Sequence, residues 1–273
     1  MATSMNNSPL PSISILTVAR NAENTLARTI QSVLDQHYPK LQYILLDGES
    51  SDATPDVIRS FADRLDIWEK IPARGVAQAF NHGLKLCQGD LVGILNADDW
   101  FEPDTLMRVA AQADKGNILY GDAAFHDSQG NFRYRFHADH SRLERASSLN
   151  HAAVFTRREV FERFGGFDET CSLAMDYAFF LHCMRQGVPF HRIGHVLAHV
   201  SLGGISDKHW FRAYREVFRV KRRYRSWPGP LWELMIAAAR RIGFGVGYTL
   251  GLKRLLALVP SQVDLAGTDD TQR

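Results

Sequence analysis

The chain has 273 residues, 45% of them hydrophobic, and a formal net charge of +2 from 32 basic and 30 acidic side chains. That length and apolar content suffice for one large globular domain, or a domain with an appendage, and the balanced charge excludes a nucleic-acid coat or an acidic tail. Cys87, Cys171 and Cys183 are odd in number and lack paired metal-ligand spacing, which argues against a disulfide framework or zinc site and fits a reducing compartment.

Residues 1–11, MATSMNNSPLP, have neither the basic start nor the apolar stretch of a secretory signal, so they predict a disordered leader on a protein kept inside the cell. Ile13 to Val18 is rich in β-branched residues and leads through a polar turn to Leu26, Ile30, Val33 and Leu34 at helical spacing, a strand and then a helix. The pattern repeats. Tyr43 to Leu46 is apolar, residues 47–52 turn, and Val57, Ile58 and Phe61 mark a second amphipathic helix. Residues 76–87 read as helix, Leu91 to Leu95 as a buried strand, and another helix starts near Pro103, since proline suits a first turn. This alternation predicts α/β architecture with a parallel sheet. From about Tyr120 to Val200 the pattern is mixed, with short strands, a helix over Arg158 to Phe164 and another around Met175 to Gln186.

In open α/β sheets ligands bind beyond the carboxyl ends of the strands. Here strands end in Arg20-Asn21, Asp47-Gly48 and Asp98-Asp99, so these turns are expected to converge on one cleft. Asn96-Ala97-Asp98-Asp99-Trp100 is the most informative segment, because clustered carboxylates after a buried strand repel one another and need a cation. Mg²⁺ or Mn²⁺, a hard ion that carboxylates share with phosphate oxygens, is the natural candidate. A solvated turn capping the next helix is the alternative. In the turn 47–54, Asp47 offers a carboxylate, Gly48 permits close approach of a flat ligand, and Asp52 could simply cap the following helix.

The ordered segments Ser14 to Leu26, Ile44-Leu-Leu-Asp-Gly-Glu-Ser-Ser-Asp-Ala-Thr, Arg74-Gly75, Ala79-Phe-Asn-His-Gly83, Gly89-Asp90, Leu95-Asn-Ala-Asp-Asp-Trp, His151, Gly165-Gly-Phe-Asp-Glu and Ala174-Met-Asp176-Tyr resemble the family 2 glycosyltransferases, including bacterial polysaccharide and colanic-acid-type members. The resemblance spans roughly Ile13 to Ser206. It implies the GT-A fold, a Rossmann-like, mostly parallel central sheet flanked by helices, with a C-terminal helical extension here. It implies that Asp47 binds the nucleobase of a nucleotide-sugar donor, with Arg20, Asn21, Glu23, Gly48 and Ser50 in the same pocket. Arg74 and Gly75 would face the diphosphate or base, and Asn81, Asn96, Ala97 and Asp98 would complete the donor site. Asp98 would contact the metal, Mn²⁺ or Mg²⁺, and His199 is a further candidate ligand. Asn96 stands where the family often has the first carboxylate of its Asp-x-Asp motif.

Asp176 matches the family's general base, which takes the acceptor's proton and gives inversion. The macrodipole of a helix start also favours such a carboxylate without catalysis. Trp100 and His151 are candidate acceptor contacts, His151 being equally readable as a satisfied core group. The 120–200 half would form the acceptor side, and Gly203-Gly204-Ile205-Ser206 a lid hinge.

The domain reading is a leader over 1–11, the transferase domain over 12–206, a basic and amphipathic helical extension over 207–260 and a disordered tail over 261–273. Trp210 to Arg225 reads as a basic, aromatic helix: a solvated face, a partner surface, or a site for anionic lipid on the inner face of the plasma membrane. Leu231 to Val259 is apolar, read as interfacial helices, ordinary core or a homodimer seam. The expected reaction is inverting transfer from a nucleotide diphosphate-sugar, UDP favoured, to a hydroxyl of a glycan or lipid-linked acceptor in surface polysaccharide or glycolipid assembly. A polyprenyl-phosphate sugar synthase and a non-catalytic nucleotide-binding scaffold are the alternatives. Nucleic acid is not expected as a partner.

Overall fold

The structure, a computed structural model, describes residues 10–204, 209–224 and 263–265. The first half is built of strand-helix units: β1 (Ile13–Ala19), α1 (Leu26–Leu34), β2 (Leu41–Asp47), α2 (Thr54–Ser60), β3 (Ile67–Lys70), α3 (Val76–Leu84) and β4 (Leu91–Ile94). Side chains alternate strictly between the two faces of these strands. Ile13, Ile15, Tyr43, Leu45 and Leu91 join one core, whereas Leu16, Ile44, Leu46, Val92 and Ile94 join the other. Both faces are therefore covered, as a parallel sheet requires.

The second half adds β5 (Trp100–Phe101), α4 (Thr105–Ala110), β6 (Ile118–His126), β7 (Phe132–Phe136), β8 (Val154–Arg157), α5 (Arg158–Phe164), α6 (Met175–Arg185), β9 (Phe190–Ser201), α7 (Trp210–Arg223) and β10 (Val263–Leu265). The sheet order is β10-β7-β6-β8-β4-β1-β2-β3, with β9 alongside β6 and β5. The α/β architecture is as expected, but among the described strands the continuous parallel block is limited to β3-β2-β1-β4. Beyond it β8 runs antiparallel to both β4 and β6, and the turn at 127–131 folds β7 back on β6. β9 restores a parallel neighbour for β6. Val263–Leu265 pairs with β7, a strand within the stretch expected to be a disordered tail. The expected segment Leu231 to Val259 lies outside the described residues.

Register decides where the loops emerge. Ala19 pairs with Asp47, and Leu16 with Ile94, so β1, β2 and β4 end at one edge. Because β8 is antiparallel to β4, the residues just ahead of Val154 reach that same edge. Among the described residues, no helix is long and apolar enough to cross a membrane.

Candidate active site

The turns after β1 and β2 are laced together. Asn21, in a left-handed conformation (φ 49°), donates its backbone N–H to Ser50 Oγ at 2.9 Å and accepts the Ser51 N–H on Oδ1 at 2.9 Å. The Glu23 N–H reaches Asp52 at 3.2 Å, the Ala53 N–H reaches Glu23 at 2.8 Å, and the Ala22 N–H reaches Thr54 Oγ1 at 2.7 Å. Asn21, Glu23 and Ser50, expected in the donor pocket, thus act here as ties between two loops. Asp47 is buried, its Oδ1 accepting the Ser50 N–H at 3.0 Å. Gly48 donates its N–H to the Ala19 carbonyl at 2.8 Å, and a Cβ on it would lie 3.7 Å from that of Arg20, which places Arg20 beside the bare glycine backbone. Arg74 is exposed ahead of α3, and Gly75 supplies the positive φ of 140° from which that helix starts. Asn81 does not turn to the donor loops. It clamps the chain at Phe167, whose carbonyl it meets at 2.9 Å and whose N–H it accepts at 2.7 Å.

The acidic turn leaves β4 at the same edge. Asp99 is the inward carboxylate, 2% exposed, accepting the Ser201 N–H at 3.0 Å and the Asn96 amide at 3.1 Å. Asn96 therefore makes a bond to Asp99 that an ionised aspartate in its place could not. Ala97 is buried between them. Asp98 is partly buried, and its carbonyl is held by Arg28 at 3.0 Å and Ser201 Oγ at 2.6 Å. Burial, and then the neighbouring Asp98, push Asp99 up to about 7. Burial raises Asp98 as well. Such carboxyls gain from a cation. Among the described residues no group of three or more His, Cys, Asp and Glu forms a cage, but a pair of carboxylates that shares the ion with donor phosphates suits Mg²⁺ or Mn²⁺. The residues fit that ion.

His151 and Asp176 meet this turn from the other half. His151 begins the short 3-10 turn His151–Ala153 ahead of β8, and Asp176 sits in the first turn of α6. His151 Nδ1 lies 3.2 Å from Asp176 Oδ2, and each side chain is 20% exposed. Burial alone would push the imidazolium down, but the hydrogen bond and charge of Asp176, with the charges of Asp99 and Asp98, leave it above its ordinary value. Its Nε2 is buried without a partner among the described residues. Asp176 Oδ1 accepts the Tyr177 N–H at 2.7 Å.

Trp100 and His199 form a separate cluster at the back of the turn. The Arg28 guanidinium lies 3.7 Å over the indole, and His199 stacks parallel to it at 5.0 Å. Both His199 ring nitrogens are engaged, one with Glu102 and the other with His126 at 2.9 Å, so in this arrangement neither points to an ion at Asp98. The segment Gly203-Gly204 does reach the turn: a Cβ on Gly204 would lie 3.9 Å from Asp98 Oδ2. Ile205 and Ser206 of the expected hinge lie outside the described residues. Sequence reasoning missed Arg28 and Ser201. Neither stands in a motif, and it is the pairing of β5 with β9, Trp100 with His199 and Phe101 with Ala198, that brings Ser201 to the turn.

The fold is shared with solved glycosyltransferases. The mannosyltransferase PcManGT from Pyrobaculum calidifontis, solved with GDP-Man and Mn²⁺, matches with a TM-score of 0.63 at 20% identity over 90% of this chain and 82% of its own. S. aureus TarS 1-349, solved with UDP-GlcNAc, matches at 0.60 and 15% identity over 77% of this chain and 66% of that one. These likenesses define the fold as the GT-A architecture. The profile of "Glycosyl transferase family 2" matches residues 14–185, and the chain belongs to that family. A "PGL/p-HBAD biosynthesis glycosyltransferase" of Mycobacterium bovis is 30% identical over 206 residues, 72% of this chain and 80% of the relative. A "Beta-monoglucosyldiacylglycerol synthase" of Trichormus variabilis is 27% identical over 63% of this chain and 42% of its own.

Proposed function

We propose that this glycosyltransferase moves a sugar, with inversion, from a nucleoside diphosphate-sugar to a hydroxyl of a glycan or lipid-linked acceptor in surface polysaccharide or glycolipid assembly. The observation that carries the reading is the convergence of Asp176, held by His151, and the Asp98-Asp99 turn on the edge where Asp47 ends β2. Asp176 removes the acceptor proton as the acceptor oxygen attacks the anomeric carbon, and the bond from that carbon to the diphosphate oxygen breaks. Asp98, with Asp99 behind it, would hold Mn²⁺ or Mg²⁺. When bound, the ion supplies Lewis-acid stabilisation of the leaving diphosphate. Asp47, Arg20 and Arg74 would take the nucleotide. The relative whose name is Beta-monoglucosyldiacylglycerol synthase supports a lipid-linked acceptor. UDP is favoured as the nucleotide; TarS was solved with UDP, while PcManGT holds GDP-Man.

The test is calorimetric titration with UDP, GDP and dTDP, each with and without Mn²⁺. One nucleotide is expected to bind in a Mn²⁺-dependent manner, and Asp98→Ala to weaken it by about tenfold, the scale of one lost charge-assisted contact. Absence of binding under every condition favours the non-catalytic scaffold instead. A polyprenyl-phosphate synthase would bind the same nucleotide but transfer to a phosphate.

The outward side of α7 supports peripheral membrane contact. Arg215, Phe218, Arg219 and Arg222 are exposed there, a basic and aromatic surface suited to anionic headgroups. Sedimentation with phosphatidylglycerol vesicles at low salt is expected to carry the protein down. Arg219→Ala should weaken binding severalfold, on the order of 1 kcal/mol. Equal affinity for neutral vesicles rejects this reading.

A further inference from the structure

The chain between α5 and α6, residues 165–174, delivers Asp176 to the cleft, and it is tied at both ends. At Phe167 the tie is Asn81. At the other end it is Glu216, the one acidic residue among the six basic residues of α7. A lone carboxylate on so basic a helix would be expected at the surface, yet Glu216 is only 3% exposed. Burial of that charge is costly unless it is fully hydrogen-bonded. Here its Oε2 accepts three successive backbone N–H groups, from Ser172 at 2.9 Å, Leu173 at 2.7 Å and Ala174 at 3.2 Å. Oε1 accepts Arg212 Nε at 3.3 Å, and the same guanidinium donates to Ser172 Oγ at 2.8 Å.

Ala174 is the residue that precedes α6, and it makes no side-chain cap of its own. Glu216 therefore supplies from another helix the anion that a helix N-terminus favours, in the form of a nest of consecutive N–H groups. Asp176 follows two residues later. Residues 172–174, which Glu216 holds, lead directly into that first turn. α7 is fixed in turn by Val220, buried against the core, by the Arg223 to Asp168 ion pair and by Lys221, which donates to the Arg145 carbonyl.

We propose that Glu216 is a positioning residue for the reaction, setting the first turn of α6 and so the place of Asp176 in the cleft. The proposal rests on the reading of Asp176 as the base. It is tested on the full chain with Glu216→Ala, Glu216→Gln and Asp176→Asn, by steady-state kinetics and nucleotide calorimetry side by side. Glu216→Ala is expected to lower kcat by about tenfold to a hundredfold, the effect of misplacing a reacting group by roughly 1 Å, with nucleotide affinity unchanged. Glu216→Gln should recover most of that loss, because its amide oxygen can stand in the Oε2 position and accept the same three N–H groups, losing only the bond at 3.3 Å that Oε1 accepts from the exposed Arg212. Glu216→Asp, one methylene short of them, is the second withdrawal variant if the alanine protein does not fold, and it should share the kcat loss. An unchanged kcat in the withdrawal variants, or a glutamine variant as impaired as alanine, overturns the proposal. So does a parallel loss of nucleotide affinity, which marks a general structural role. Turnover that survives Asp176→Asn instead overturns the base reading itself, whatever Glu216 does.

Discussion

Asp176→Asn is expected to lower turnover by about 10²- to 10⁴-fold, the range attributed to one positioned general base, while the nucleotide affinity stays as it was. The substitution keeps shape and most contacts. An asparagine oxygen can still accept the Tyr177 N–H that Asp176 Oδ1 takes at 2.7 Å, or the proton shared with His151 at 3.2 Å. What it loses is the ability to receive the acceptor's proton. His151 is affected as well, since the hydrogen bond and charge of Asp176 are the largest influences holding its imidazolium above the ordinary value against burial. The neutralised variant therefore has an imidazole that releases its proton at lower pH than in the wild type. Kinetics against calorimetry separates the consequences: a fall in kcat without a fall in donor binding identifies the base. A variant that turns over at the wild-type rate with intact binding would sink the assignment and move the search to another group at the cleft.

The elements that could be read from the sequence are those whose signal is local. β1, β2 and β4 are buried on both faces and so appear as continuous apolar runs, while α1 and α3 carry their apolar residues at helical spacing. α5 has the predicted bounds, Arg158–Phe164, and α6 ends one residue short of the prediction. β6 and β9 were not separable, for a physical reason. β6 contains Gly121 and Asp122, poor strand residues, and β9 contains His191, Arg192, His195 and His199. Gly121 is needed because a Cβ there would lie 2.6 Å from the His195 carbonyl across the strand pair, and Asp122 is stable in a strand only beside partners from other strands. The site divides in the same way. The places of Asp47, Asp98 and Asp176 in the candidate site, at or after strand ends or at a helix start, were legible from the sequence. That Asn21, Glu23, Ser50 and Asn81 tie loops together depends on which segment faces them, which a single motif does not encode. Glu216 is the extreme case, a buried anion in a helix whose composition predicts a solvated basic face.

Asp122→Ala is expected to destabilise the fold by about 3–5 kcal/mol at neutral pH, the range for removing one partner from a buried ionic network. Asp122 is fully buried on β6, and its oxygens accept from Arg135 Nε at 2.9 Å, His137 Nδ1 at 3.0 Å, Arg192 Nη2 at 2.9 Å and the Ala138 N–H at 3.1 Å. One carboxylate thus joins β6, β9, the end of β7 and the chain beyond it. Its removal leaves guanidiniums facing each other across the gap; their outer edges remain partly hydrated, which places the expected loss toward the lower end. Burial by itself would raise the Asp122 pKa, but the Arg192 and Ala138 hydrogen bonds and the Arg192 and Arg135 charges hold it below the ordinary carboxylate value. A depressed folded-state pKa contributes stability above the unfolded value, about 3.9, and loses it as pH falls through the folded one. The gap between wild type and Asp122→Ala in denaturant unfolding should therefore be full at pH 7 and shrink below about pH 4. A gap that is absent at pH 7, or independent of pH down to the acid transition, would show that the network adds nothing to the fold. The effect should reach the cleft too. β6 and β9 carry His126 and His199 at their far ends, and Ser201, the last residue of β9, donates the N–H that fixes Asp99 at 3.0 Å. Loosening the pair at Asp122 therefore frees the support behind the acidic turn, so nucleotide affinity in the presence of Mn²⁺ should fall along with stability.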